Sequence, residues 1–250
     1  MNRIAPDPQT AEEVAREAAR LDGAPPQEAL AWAYARYGEG LTLACSFGGA
    51  TGMALLDMAS RVAPGVEVFY LDTAFLFPET YELVRTASER YGLRVRAYAP
   101  RWTPEQQAAE FGPALWRRDP DLCCQLRKVE PNGRALEGKQ AWVSGLRRDQ
   151  AKSRAAVAAV EWDAKFGLVK VNPMAAWTEA DVWAYVRANG VPYNPLHDQG
   201  YPSLGCTHCT RPVRPGEDLR AGRWTGQGKE ECGLHADTMA GRETPAAAKG

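Results

Sequence analysis

The chain has 250 residues, 45% of them hydrophobic and 24% charged. That is enough apolar material for one large domain or two small ones, and it excludes disorder of the whole chain. Lys and Arg total 30 against 31 Asp and Glu, a net charge of −1, so broad, sequence-independent nucleic-acid binding is not expected, although a local basic pocket is not excluded.

No apolar run reaches the roughly 20 residues that a membrane-spanning helix needs, so no membrane segment is expected. The segment Met1–Glu13 lacks the apolar core of a secretory signal. A cytoplasmic protein is therefore expected, and there cysteines serve metals or catalysis more often than disulfides. Residues 1–10 are polar with two prolines and are expected to fray. Thr10, with Glu13 three residues on, reads as the capping box of a helix that Gly23 to Pro26 ends. Leu30, Tyr34 and Tyr37 recur at helical spacing up to Gly38. Leu41 to Cys45 reads as a buried strand, Ser46-Phe-Gly-Gly-Ala as a turn, and Met53 to Val62 as a helix. A strand over Val66 to Leu71, a helix over Pro78 to Tyr91 and a strand over Leu93 to Ala99 follow. Alternation at this spacing predicts an α/β fold, a mostly parallel sheet flanked by helices. Ala141 to Ser144 is a further strand, and Lys170-Val-Asn-Pro ends another. Thr178 caps a helix that runs to about Asn189, with Glu179 and Asp181 in its first turn. After Val191 the hydrophobic period is lost, which predicts a loop-rich tail over the domain with a mobile end. No internal repeat, low-complexity tract or clear linker divides the chain.

Six cysteines are present. Cys45, at a strand end in apolar surroundings, reads as a core residue. Cys206-Thr-His-Cys209 alone suits a redox motif, half a zinc site or half an iron–sulfur site. The adjacent pair Cys123-Cys124 is more informative. Structural zinc sites usually space their ligands by two to four residues, whereas in a four-iron cubane neighbouring thiolates can bind different irons. Spacing therefore favours a [4Fe-4S] site on Cys123, Cys124, Cys206 and Cys209 over zinc, with unmetallated thiols third. His208 reads as a solvated loop residue rather than a ligand. Cys232, in the polar segment Lys229-Glu-Glu-Cys-Gly-Leu-His235, suits a nucleophile or an incidental surface thiol. Its thiolate would need nearby cations. Glu230 and Glu231 act the wrong way, while Arg220, Arg223, Lys128 and His235 are candidates.

Ser46-Phe-Gly-Gly, between a strand and a helix, can offer backbone N–H groups to a phosphate. Asp72 and Thr73 stand at the carboxyl end of the next strand, where parallel sheets take ligands. Ser144-Gly-Leu-Arg-Arg-Asp-Gln150, with Lys152 and Arg154, crowds cations onto the same edge.

Together these elements resemble the assimilatory adenylyl-sulfate reductases, in the adenine-nucleotide α-hydrolase-like, PP-loop type of fold that also holds phosphoadenylyl-sulfate reductases. The matching segments are SerPheGlyGly at 46–49, LeuAspThr with PheProGluThr over 71–80, and CysCys with ArgLys over 123–128. GlyLeuArgArgAspGln at 145–150, ValAsnProMetAlaAlaTrp at 171–177, the pair at 206–209, ArgAlaGlyArgTrp at 220–224 and GluCysGlyLeuHis at 231–235 follow in family order. The resemblance implies a nucleotide-binding α/β domain over 1–205 and a cluster-binding, catalytic tail over 206–250. It implies that Ser46, Phe47, Gly48, Gly49, Asp72, Thr73 and Gly145 bind the nucleotide, and that Arg127, Lys128, Arg154, Arg220 and Arg223 hold phosphate and sulfate. Cys232 would attack the sulfur of adenosine 5′-phosphosulfate, AMP would leave, and thioredoxin would release sulfite from the Cys232 S-sulfonate. His235 would orient the tail or the sulfate, and a homo-oligomer is expected. Two departures bear on the pocket. Thr51-Gly52 stands where the family usually has an acidic pair, and Ala74 replaces the usual glycine after LeuAspThr. The alternatives are a 3′-phosphoadenylyl-sulfate or dual-substrate reductase, a nucleotidyl- or sulfur-transferase of the same fold, and a zinc-stapled nucleotide-binding module.

Overall fold

The computed structural model describes residues 4–235. Strands β1 (Leu41–Ala44), β2 (Glu67–Leu71), β3 (Val95–Tyr98), β4 (Ala141–Val143), β5 (Val160–Asp163) and β6 (Leu168–Val171) form one sheet in the order β3-β2-β1-β4-β6-β5. Neighbours run parallel except the edge strand β5, which is antiparallel to β6. The helices are α1 (Pro8–Leu21), α2 (Pro26–Tyr37), α3 (Ala50–Val62), α4 (Pro78–Tyr91), α5 (Pro104–Phe111), α6 (Leu115–Arg118), α7 (Pro120–Cys124), α8 (Glu130–Leu136) and α9 (Glu179–Ala188).

The central strands carry apolar residues on both faces because helices cover both. Leu41, Leu43, Ala141 and Val143 are fully buried with Met53, Leu55, Leu56 and Met58 of α3 and Val182 and Val186 of α9. The chain leaves β1 toward β2 on one side, and β4 pairs on the other. This reversal of strand order opens the crevice where open α/β sheets bind ligands.

Two expectations for the N-terminus change. Asp7, not Thr10, caps α1: its carboxylate accepts from the Thr10 backbone N–H at 2.9 Å and from the Thr10 hydroxyl at 2.7 Å. Pro8 supplies the preset φ of a first helical position, and Glu13 pairs with Arg36 at 2.7 Å. From residue 4 onward the segment is tied down. Ile4 donates its N–H to the Ala164 carbonyl at 3.0 Å and accepts from the Trp162 indole at 2.7 Å. Residues 1–3 lie outside the described residues, as does the terminal segment expected to be mobile.

Between β3 and β4 the chain is helical. A π-helical turn over Gln125–Val129 joins α7 to α8. Pro131 has no N–H for the carbonyl four residues back and would crowd it; the wider turn relieves that conflict and carries Arg127 and Lys128. The tail folds back over the carboxyl edge of the sheet. Asn194 donates to the Thr80 hydroxyl at 3.1 Å, His197 Nε2 meets the Gly48 carbonyl at 3.0 Å, and Thr207 donates its N–H to the Phe75 carbonyl at 2.8 Å.

Candidate active site

A cavity of about 300 Å³ lies at the carboxyl ends of β1, β2 and β4, beneath the tail. Ser46, Gly48 and Gly49 line it from the loop after β1, Thr73 from the loop after β2, and Gly145 and Arg154 from the segment after β4. Lys128 enters from the π turn, and Arg220, Arg223, Cys232 and His235 from the tail. Gly49 is the N-cap of α3, so that helix points its positive end into the cavity. Gly48 packs closely under the tail: a Cβ there would stand 3.1 Å from the Leu204 Cβ.

Phe47, Asp72 and Arg127 do not line this cavity, whereas the other residues expected to bind substrate do. Phe47 is buried and packs edge-on against Tyr70, with ring centroids 5.9 Å apart. Asp72 shapes its loop instead, accepting from the Tyr81 hydroxyl at 2.6 Å and the Ala74 N–H at 3.0 Å. Arg127 is 1% exposed. It donates to Gln107 at 2.7 Å and to the Thr73 carbonyl at 2.8 Å, and lies over the Phe75 ring at 4.2 Å. It therefore props the loop after β2, while its second terminal nitrogen is buried with no hydrogen-bond partner.

The remaining cations differ in what already engages them. Arg223 donates to the carbonyls of Leu204 and Cys209 at 3.1 and 3.3 Å and stacks over Trp224 at 4.4 Å. A Cβ on Gly205 would fall 2.2 Å from the Arg223 guanidinium, so glycine there makes room for it. Arg154 and Arg220 both meet the Glu231 carboxylate. Lys128 lies 5.9 Å from the Trp224 ring centroid. Burial opposes its charge, but the thiols of Cys206, Cys124 and Cys232 outweigh burial and raise its pKa.

Cys123, Cys124, Cys206 and Cys209 are buried and free, and line one small enclosed hollow with Phe75, Trp116 and His208. His208 is exposed, as expected, with one ring face stacked on Trp116, centroids 3.9 Å apart and planes 8° off parallel. Burial pushes the Cys123 thiol up to about 12 and the Cys124 thiol up to about 11, so these thiols would ionise only with a strong positive partner. Among the described residues, no group of three or more His, Cys, Asp or Glu side chains is arranged to hold a single metal ion. An all-thiol donor set drawn from two segments is the chemistry of a soft-metal site, iron–sulfur or zinc. Lys128 and Cys206 line both the hollow and the cavity and form the wall between them. Cys232 is half-buried and packs against Cys124, Cys206, Cys209 and Trp224. Cys45 is a core thiol, raised to about 12 by burial.

Residues 40–212 match the phosphoadenosine phosphosulfate reductase domain. The chain belongs to that family. It is 50% identical over 210 residues to an adenosine 5′-phosphosulfate reductase of Shouchella clausii, covering 84% of this chain and 87% of the relative. It is 48% identical over 211 residues to adenosine 5′-phosphosulfate reductase 2 of Bacillus subtilis, covering 84% and 89%. The crystal structure of a phosphoadenylyl-sulfate reductase from Candida auris, a phosphate complex, superposes with a TM-score of 0.72 at 34% identity, covering 84% of this chain and 100% of that one. A Candida glabrata FMN adenylyltransferase superposes at 0.56 with 16% identity, covering 80% and 67%, which shows the shared fold.

Against that family the two departures have a physical account. Thr51 accepts from the buried Arg147 guanidinium, which also meets Glu179 and, at 2.9 Å, Asp149. Arg147→Met should cost about 2 kcal/mol of unfolding free energy, because it strands two partly exposed carboxylates without their buried partner; urea denaturation checks this. Ala74 is exposed with φ at +58°, a conformation that costs an L-residue and not glycine. Ala74→Gly should raise stability by about 1 kcal/mol in the same measurement.

Sequence reasoning assigned no site role to Trp142, read Glu231 only as opposing the thiolate, and read Arg147 only as one of the cations on the sheet edge. Trp142 and His235 stack with centroids 5.6 Å apart and planes 9° off parallel. Burial, with Lys170, Arg154, Lys165 and Arg220 nearby, lowers the His235 pKa well below 6.5. His235 is thus a neutral anchor of the tail, not one of the cations that could activate Cys232. Undocking restores its ordinary pKa, so docking is strongest above 6.5 and weakens as the pH falls below it. Hydrogen-exchange protection factors over residues 231–235, taken relative to the intrinsic rate at each pH, should therefore fall as the pH drops below 6.5, and His235→Phe should remove that dependence.

Proposed function

We propose that the protein reduces adenosine 5′-phosphosulfate to sulfite and AMP in assimilatory sulfate reduction, with thioredoxin as reductant. The observation that carries this reading is Cys232, set in the cavity with Lys128 and Arg223 and facing the loop at 46–49. The Cys232 thiolate attacks the substrate sulfur. A sulfur–sulfur bond forms, the sulfur–oxygen bond to the phosphate breaks, and AMP leaves with the electron pair. Lys128 and the N–H groups at the start of α3 stabilise the charge that grows on the departing phosphate. A thioredoxin thiolate then attacks the Cys232 sulfur, sulfite leaves with its electron pair, and the second thioredoxin thiol closes a disulfide and returns the Cys232 thiolate. Two electrons pass from the dithiol to the sulfur.

Cys123, Cys124, Cys206 and Cys209 would hold a [4Fe-4S] cluster, and their burial as an all-thiol set supports this. When bound, the cluster would supply fixed charge beside the cavity rather than electrons for the transfer. Protein purified anaerobically should carry iron and sulfide; stoichiometric zinc without iron would favour the zinc-stapled module.

The test compares both nucleotides in one assay on such protein. Adenosine 5′-phosphosulfate should yield sulfite and AMP, and the 3′-phosphorylated form should be the poorer substrate. Faster turnover of the 3′-phosphorylated form would favour the alternative specificity.

A further inference from the structure

Glu231 precedes the nucleophile, and as a free anion it would oppose the approach of an anionic substrate and disfavour the Cys232 thiolate. The structure shows it bound. Its side chain is 9% exposed. Arg154 donates to both carboxylate oxygens at 2.7 Å, a two-point geometry that fixes direction as well as distance. Arg220 stands 3.5 Å away and donates to the Glu230 carbonyl at 2.7 Å. Ser153 adds a donor at 3.4 Å.

We infer that Glu231 is a positioning residue: its carboxylate docks between Arg154 and Arg220 and so fixes Cys232 in the cavity beside Lys128. The inference rests on the proposed role of Cys232. Two cations that the family resemblance gives to the substrate thereby also hold the arm, and both line the cavity. The pairing also cancels the negative charge next to the nucleophile: burial opposes ionisation of Glu231, but its bonds to Arg154 and the charges of Arg154 and Arg220 hold its pKa below the ordinary value. The carboxylate therefore stays charged, and the dock stays made, across the neutral range.

The arm has other ties, which makes Glu231 the element whose removal is read most clearly. Lys229 pairs with Asp121, and Lys165 donates to the Gly233 carbonyl. These flank the dock but do not orient residue 232 from its neighbouring side chain.

The experiment uses the full chain as Glu231→Gln and Glu231→Asp. Two rates are measured: modification of Cys232 by the uncharged probe N-ethylmaleimide, followed by peptide mass, and single-turnover formation of the Cys232 S-sulfonate at saturating substrate. Glu231→Gln should raise the first and lower the second, each about tenfold, the loss of a charge-assisted pair. Glu231→Asp keeps the charge and should stay within about threefold of the parent on both. Unchanged maleimide modification in Glu231→Gln overturns the inference, as does faster modification with an unaltered S-sulfonate rate. Tighter AMP binding together with a faster single turnover would show instead that the carboxylate competes with substrate for the arginines. The maleimide rate reads docking whether or not Cys232 accepts a sulfonate. A parent protein that forms no S-sulfonate overturns the proposed function and leaves the dock itself measurable.

Discussion

Cys232→Ser lowers sulfite formation to background, a loss of about a thousandfold or more. The substitution changes one atom in a half-buried side chain, so packing and the neighbouring Glu231 dock are retained. The chemistry is not. A hydroxyl ionises far above neutral pH, and a serine sulfate ester would offer thioredoxin no sulfur–sulfur bond to cleave. A melting curve that matches the parent, alongside absent sulfite, separates this from unfolding. Normal turnover in Cys232→Ser would remove the thiol from the mechanism.

Lys128→Met should lower kcat/KM about 300-fold, the effect of removing one fixed charge from a site where transition-state charge grows. Methionine keeps the length and most of the volume of the stem, so the wall between cavity and hollow remains. The lysine is held by geometry on both sides: its ammonium lies beside the Trp224 ring and among thiols that raise its pKa. Substrate binding should weaken less than the chemical step, because the charge on the bridging oxygen is largest as the sulfur–oxygen bond breaks. Steady-state kinetics would show the loss mainly in kcat. A loss confined to KM would mean that Lys128 only holds the ground-state anion.

Much of the fold is legible in the sequence because its signals are local. The helix over Pro78–Tyr91 has a proline at its start and Gly92 at its end, and the strands at 41–44 and 67–71 are short apolar runs between turn residues. The edge strand β5 is not: its residues are half-buried with charges among them, and only pairing with β6 makes them a strand. The helices between 104 and 136 are short, and their order comes from packing around the cysteine hollow rather than from a long hydrophobic period.

At the site, spacing indicated which cysteines group together, and the structure places all four around one hollow. The cations were legible as charges but not as partners. Arg127 and Lys128 are adjacent in the π turn and both line the hollow, but only Lys128 also reaches the cavity. Glu231 looked like an electrostatic fault beside the nucleophile. Only the fold brings Arg154, 77 positions earlier, to its carboxylate.

The central claim is that Cys232 takes the sulfonate directly from the nucleotide. Protein incubated with adenosine 5′-phosphosulfate and no reductant, then digested and weighed, tests it. The account predicts a sulfonate mass on the peptide that contains Cys232, matched by released AMP and cleared as sulfite when reduced thioredoxin is added. AMP release with that peptide unmodified, or a sulfonate on any other cysteine, would contradict it.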